Sequence, residues 1–587
     1  MDRRKFVQAA AAAGSLGWLT SVDRIFAQSA PTAFTRPVPF VGDPAGAGLT
    51  PDDVASLFAV DAEQTAAQQA LVYPQSVASG DPRANGIVLW TRIDPSQQGG
   101  AYADMVGWQI ATNSTFTVSS LLAEGVATVY SSADNTVKFP VASNALQPYT
   151  NYYYRFIYNR VASRTGQFKT LPAPDASLVS LKIGYVVCQD YGNGFYTALA
   201  YLAQEDVDFI IHLGDYIYET ITATAFAYNP ARTMPPFPSG STTIPVNLDD
   251  YRHLYKVYKS DLNQQAVHER FAYIQLWDDH EFANDCHQDF HPDDNTAPNT
   301  ATTPQPALRQ AANQAWSEYG LANVPFDPTQ GWEQSIQVYR KFSLGTLADV
   351  IVTDERLYRD GPPCGNNDIG QRYFSIGCPE ILDSSRSMLG VVQKQWFIDQ
   401  VTGSTATWKI WVNEVMLMQL KATAVYVDLD QWDGYGEERK ALLNIFKDAK
   451  VKNLVAITGD LHTFLAGYLK PDFDDIFASG MGIELMVGSI SSANFEEEIL
   501  SGVHLPSSAV PAKMFGVAPN LLDPLIRFLN PHIKYWDSST HGYAVLTLTP
   551  EQLTCEFKAV TTVREPTANL VALKTFTVPA GKVKLES

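Results

Sequence analysis

A handful of short runs in this chain carry carboxylate, phenol, thiol and imidazole groups at spacings that suit bound metal. Asp215 and Tyr218 stand three apart in Gly214-Asp215-Tyr216-Ile217-Tyr218-Glu219, so both leave a strand-to-loop exit on the same side. A phenolate favours a hard, highly charged ion such as ferric iron over zinc. Cys188 would add a thiolate to that ion if its strand lies beside the next one. Asp460 and His462, two apart in Gly459-Asp460-Leu461-His462, address two neighbouring metals when one carboxylate such as Asp215 bridges them. Asp279 or Asn284 completes the second metal, where oxygen ligands suit calcium, magnesium or manganese better than zinc. His280, within Asp278-Asp279-His280-Glu281, then remains beside the metals as an acid or base. Each run has an ordinary counterpart: a turn, a helix start with acids at its positive end, an inert buried thiol. Their conjunction is what points to a site.

The elements that must position these residues are apolar, β-branched runs alternating with helical stretches after Leu181, the pattern of strands buried on both faces. Ile183-Gly184-Tyr185-Val186-Val187 ends at Cys188, Phe209-Ile210-Ile211-His212-Leu213 at Gly214-Asp215, and Tyr273-Ile274-Gln275-Leu276-Trp277 at Asp278. Val350-Ile351-Val352-Thr353 ends at Asp354, Ile410-Trp411-Val412 at Asn413, and Leu454-Val455-Ala456-Ile457 at Thr458-Gly459-Asp460. Open α/β sheets gather ligands at the carboxyl ends of their strands, so six such ends imply one site. Before this region, residues 71–172 show short alternating runs and turn signals without a helical period, which predicts a β-sandwich. Within it Leu146-Gln147-Pro148-Tyr149-Thr150-Asn151-Tyr152 resembles the tyrosine corner of fibronectin type III domains. Residues 31–70 read as an extended lead-in with one short helix. Insertions at 220–245 and 285–330 carry no catalytic motif and read as lids, specificity walls or decoration. Tyr543 to Thr549 and Leu553 to Val560 are expected to close the domain's edge, with an uninformative tail over 563–587. There is no internal repeat.

The chain has 587 residues, 45% hydrophobic and 18% charged, and a formal charge of −20. That composition is globular, and the charge disfavours general binding to nucleic acid or a polybasic grip on a membrane. Residues 1–30 stand apart. Arg3-Arg4-Lys5-Phe6 precedes an apolar run of about 13 residues, short of the ~20 that span a bilayer, followed by small residues around Ala27 to Ala30. This reads as an export signal of the twin-arginine type, whose machinery carries folded proteins. Its removal takes away four bases and two acids and leaves −22. The expected location is periplasmic or secreted, with no transmembrane anchor. Of five cysteines, Cys364 and Cys378 lie in one Gly/Pro-rich loop and are the expected disulfide; an odd count leaves at least one thiol for other work.

The metal-ligand runs, together with Ser76-Val77-Ala78-Ser79-Gly80-Asp81-Pro82 and Val88-Leu89-Trp90-Thr91-Arg92, resemble the PhoD-like alkaline phosphatase/phosphodiesterase family. The resemblance covers about residues 70 to 560. That family belongs to the calcineurin-like metallophosphoesterases and is similar in its metal centre to purple acid phosphatases. The fold it implies is α/β: a fibronectin type III-like β-sandwich, then a catalytic domain over 175–562 built as a β-sandwich flanked by helices. It implies ferric iron (Fe3+) on Cys188, Asp215, Tyr218 and His462. Asp215 would bridge to calcium (Ca2+, with Mg2+ or Mn2+ as alternatives) bound with the help of Asp279, Asn284 and Asp460. Asn413 lies where related enzymes carry another ligand of that second metal.

Phosphate esters resist hydrolysis because their anionic centre repels hydroxide. Bound metals polarise the phosphoryl oxygens and lower the pKa of coordinated water toward ~7, so hydroxide becomes available to attack phosphorus. His280 is the expected partner of the leaving alkoxide. Arg356 and Arg359 are candidates to grip phosphate, although an arginine after a strand more often makes a structural ion pair. The expected function is a secreted metal-dependent hydrolase of phosphate esters, an alkaline phosphomonoesterase that also cleaves diesters, on small-molecule or lipid substrates. A phosphodiesterase of phospholipase D type on the same metals is the near alternative, and an extracellular binding protein the contrasting one.

Overall fold

The computed structural model describes residues 41–42, 48–97, 99, 103–221, 231–294, 298–366, 369–475, 477–501 and 522–587. The expected export signal lies outside them, as does part of the 220–245 insertion.

Two large sheets face each other because their strands are apolar on both sides. In one, Arg340–Leu344, Ala348–Val352, Trp408–Val412, Leu454–Thr458, Gly482–Met486, Phe464–Leu469 and Ile533–Asp537 lie in that order, with four central strands parallel. Side chains alternate along these strands. Val350, Ile410, Val455 and Ile457 point into the core between the sheets. Ile351, Trp411 and Ala456 point outward against Phe397 of helix Gly390–Gly403 and Leu442, Leu443 and Phe446 of helix Gly436–Asp448. The facing sheet runs Leu570–Pro579, Gln552–Val560, His541–Leu548, Leu181–Val186, Phe209–His212, Ala272–Gln275, Val77–Arg83, Gly86–Arg92 and Thr136–Ala142. Contacts such as the Tyr185 hydroxyl donating to Leu485 O at 3.3 Å and the Phe464–Phe557 rings at 5.2 Å join the two sheets.

The sandwich expected over 71–172 is present, but it is not a separate unit. Strand Val77–Arg83 pairs in parallel with Ala272–Gln275, Ser79 opposite Ala272 and Gly80 opposite Tyr273, so one sandwich sheet continues into the catalytic sheet. The other sheet, with Leu121–Thr128, Met105–Ala111 and Asn151–Tyr158, packs on it through Trp108, Phe139 and Phe156. At the expected tyrosine corner, the Tyr152 hydroxyl accepts the Gln147 N–H at 2.7 Å.

The Gly80-Asp81 step shows what joins the parts. A Cβ on Gly80 would sit 2.0 Å from Leu321 O, so only glycine fits there. Asp81 is buried and accepts Arg340 Nη2 at 2.8 Å, Arg340 Nε at 3.0 Å and the Asn323 N–H at 2.7 Å. That bidentate pair fastens the sandwich to the second catalytic sheet.

Two expectations need correction. The lead-in holds two short helices, Pro51–Leu57 and Ala66–Val72, each opened by a capping box on Thr50 or Thr65. The outermost strand is not Gln552–Val560 but Leu570–Pro579, inside the segment read as a tail.

Candidate metal centre

The carboxyl ends of both catalytic sheets bring the ligands together. Strands Leu181–Val186 and Phe209–His212 are parallel neighbours, which sets Cys188 beside Asp215, Sγ to Oδ2 at 3.4 Å. The Tyr218 hydroxyl lies 3.1 Å from the same Oδ2 and 3.0 Å from His462 Nε2, which arrives from the opposite sheet. His462 Nδ1 faces Ala493 O at 2.5 Å and Glu498 at 3.2 Å, which orients the ring and presents Nε2 to the cluster.

Ligand atoms of Cys188, Asp215 and His462 lie within 4.8 Å of one another, as do those of Asp215, Asp279 and His280, and of Asp278, Asp279 and Asp460. Asp215 belongs to the first two groups and Asp279 to the second and third. A chain of donors therefore runs from thiol and phenol to carboxylates.

The backbone is bent to achieve this. Cys188, Asp215, Asp460 and His462 all have positive φ, between 51° and 66°. Such residues cost roughly 1–2 kcal/mol each and persist where surrounding structure imposes them. Gly214 takes φ +113°, and a Cβ there would stand 2.5 Å from that of Asp278.

With Cys188, Asp215 and Tyr218 buried and Asp460 partly so, these groups cannot all ionise unaided. Burial pushes Asp215 up to about 7 and Asp460 up to about 6. Burial, then the charge of Asp215, lifts the Cys188 thiol and Tyr218 phenol well above their ordinary values. A multivalent cation is what would let them release protons together. The donor set fits: thiolate, phenolate, imidazole and carboxylate suit ferric iron, and the acids beyond suit a hard divalent ion.

His280 stacks on Tyr218 with ring centres 4.0 Å apart, and its Nδ1 meets Glu219 Oε2 at 2.6 Å. Burial would lower this imidazole, but Glu219, Asp215 and Asp279 outweigh it and hold His280 well above its usual value.

Family models match most of the chain: PhoD-like phosphatase over residues 183–557, and its N-terminal domain over 59–172. The chain belongs to the PhoD-like phosphatase family. Alkaline phosphatase D of Bacillus subtilis (strain 168) is 31% identical over 520 residues, which cover 85% of this chain and 79% of that protein. The solved structure of PhoD aligns with a TM-score of 0.74 at 28% identity, over 88% of this chain and 92% of that one. As a PhoD-like phosphatase, the chain is a phosphoric ester hydrolase acting on phosphate esters.

Not every expected residue joins this cluster. Arg356 and Arg359 do not present a phosphate grip. Arg356 is fully buried: it donates to Asp278 through Nε, to Asp430 at 2.5 Å and to Asp460 at 2.7 Å, with Asp279 at 3.7 Å. Arg359 is fully buried on Cys286 O, Asp285 O and Asp430. Asn413 is turned away, its amide spent on Val415 O and the Trp432 indole. Asn284 lies near the cluster, its Nδ2 donating to Asp293 at 2.8 Å. Cys364 and Cys378 are bonded; Cys188, Cys286 and Cys555 are buried thiols.

Two further acids, which their residue types alone do not mark as functional, support the site. Glu219 orients His280, and Glu281 accepts the backbone N–H groups of Asp215 at 3.0 Å, Tyr216 at 2.6 Å and Asp278 at 2.7 Å. The signal available was their place beside a metal-ligand candidate.

Proposed function

We propose that this chain is an exported, metal-dependent alkaline phosphomonoesterase that also hydrolyses diesters. The observation that carries the reading is the convergence of Cys188 Sγ, the Tyr218 hydroxyl and His462 Nε2 around Asp215. On this reading Cys188, Asp215, Tyr218 and His462 hold ferric iron, and Asp279, Asn284 and Asp460 serve calcium beside it. When bound, the metals supply positive charge to the phosphoryl oxygens and an activated water.

The chain's own residues do the rest. Glu219 fixes His280 through Nδ1, so proton chemistry at the leaving oxygen falls to Nε2. Arg356 offsets four carboxylates and keeps Asp460 aligned. Glu281 holds the two strand exits that carry Asp215 and Asp278.

We assign residues 1–30 to twin-arginine export, 71–172 to the sandwich and 175–562 to catalysis, with the mature protein in the periplasm or outside the cell. No helix among the described residues is long and apolar enough to cross a membrane. The acidic surface is our ground for excluding general nucleic-acid binding. Turnover of a phosphate monoester against a bis-ester by the purified protein tests the substrate assignment. We expect both to be cleaved, the monoester faster; cleavage of the diester alone would refute the phosphomonoesterase reading.

A further inference from the structure

The disulfide between Cys364 and Cys378 closes a loop that none of the roles above uses. Within it Arg372 is buried, with Nη1 donating to Asp285 Oδ2 at 2.7 Å and Nη2 to Asp293 Oδ1 at 2.5 Å. The neighbouring Tyr373 hydroxyl lies 3.0 and 3.1 Å from the two oxygens of Asp285.

Each of these acids leads, by one further bond, to a candidate metal ligand. The Asp285 N–H donates to Asp279 Oδ2 at 2.6 Å. Asp293 Oδ2 accepts Asn284 Nδ2 at 2.8 Å, which turns the amide so that Oδ1, its only ligating atom, is the one left for a cation. Asn366 Nδ2 on Ala301 O at 2.9 Å, and Ser375 Oγ under the Tyr426 N–H at 3.0 Å, fasten the loop to the body of the protein.

We infer that the segment tied by the Cys364–Cys378 disulfide, through its described residues 369–378, is a clamp on the oxygen-ligand metal position, with Arg372 as the positioning residue that sets Asp279 and Asn284 while touching neither metal nor substrate. The inference rests on the assignment of Asp279 and Asn284 to that position. Outer partners of metal ligands typically govern affinity by about 10–100-fold. Charge alone argues the opposite way. Removing a cation beside Asp285 and Asp293 would draw a divalent ion in more tightly, so weaker binding reports geometry and tighter binding reports charge.

The test is calorimetric titration of Ca2+ into the chelator-treated full chain, for the unaltered protein, R372Q and the C364S/C378S double variant, with D279N as a reference. R372Q is expected to raise the calcium Kd about tenfold or more. The double cysteine variant, which changes no charge at the site, should shift it in the same direction. The visible absorption of the iron position should stay unchanged in both. If R372Q cannot be obtained folded, the double cysteine variant decides alone. Calcium binding as tight as, or tighter than, that of the unaltered protein would overturn the clamp while D279N still weakens binding. Failure of the unaltered protein to bind calcium would overturn the metal assignment itself, and the clamp with it.

Discussion

Replacing Glu281 by alanine removes the carboxylate that ties two strand exits together. Its oxygens accept three backbone N–H groups, those of Asp215, Tyr216 and Asp278, all within 3.0 Å and all buried. Burial, then the charge of Asp215, lifts the Glu281 carboxyl to about 8, so the comparison is made above that pH, where hydrogen bonds to the charged acceptor contribute about 1.5–3 kcal/mol each and a buried donor left without a partner costs about 1–3 kcal/mol. Water entering the space recovers part of this, so Glu281→Ala should cost about 4 kcal/mol. Glu281→Gln keeps one oxygen but turns an amide N–H₂ toward a backbone donor, and should cost about half as much. The assay is urea unfolding of chelator-treated protein, followed through the indole fluorescence of its 11 tryptophans. The same N–H groups belong to the loops that carry Asp215 and Asp279, so iron and calcium content of the purified variants should fall in the same order. An alanine variant within about 1 kcal/mol of the unaltered protein and with full metal content would refute the reasoning, because the clasp would then hold nothing.

His280→Asn should lower kcat by about 10²–10⁴-fold on an alkyl phosphate, and much less on a nitrophenyl phosphate whose leaving group needs no proton; equal losses on both would remove His280 from leaving-group chemistry. Asp81→Ala takes the carboxylate partner from the half-buried Arg340, which keeps only its bonds to Val338 O and Gln275 O, and should cost about 1.5–3 kcal/mol in unfolding while kcat of the folded fraction is retained. Burial pulls His532 down to about 4, although Gln419 O, 2.7 Å from its Nε2, opposes this. The unfolded chain therefore takes up a proton that the folded chain refuses, and stability present above pH ~6.5 is lost as pH falls through about 4, by up to about 3 kcal/mol. Melting curves of His532→Gln should fall less steeply over that range, and an unchanged slope would contradict the sign.

The strand ends were legible because a run buried on both faces must be apolar throughout, so a thiol, carboxylate or imidazole at its exit stands out. Cys188, Asp215, Tyr218, Asp279, Asp460 and His462 share that signature, and the structure gathers them. The arginines carry no such mark. An arginine one turn past a strand reads the same whether it faces substrate or, like Arg356, four carboxylates contributed by residues as far on as Asp430 and Asp460. Glu281 was hidden for a related reason: a carboxylate serving backbone N–H groups has the same residue type as a metal ligand. The joining of sandwich and catalytic sheet depends on pairing Ser79 with Ala272, partners far apart in sequence with no local pattern to announce it. Strand Leu570–Pro579 escaped because it lies at an edge, where the alternation that marks a half-buried strand begins only near Phe576.

The central claim is that Cys188, Asp215, Tyr218 and His462 hold a ferric ion needed for phosphate-ester hydrolysis. Elemental analysis of the purified protein, joined to its visible spectrum and its phosphatase activity, tests it directly. The account predicts about one iron per chain and a charge-transfer band that shifts in Tyr218→Phe and in Cys188→Ser, with activity falling alongside iron content. A colourless protein that holds zinc alone and hydrolyses phosphate esters at full rate in both variants would contradict it.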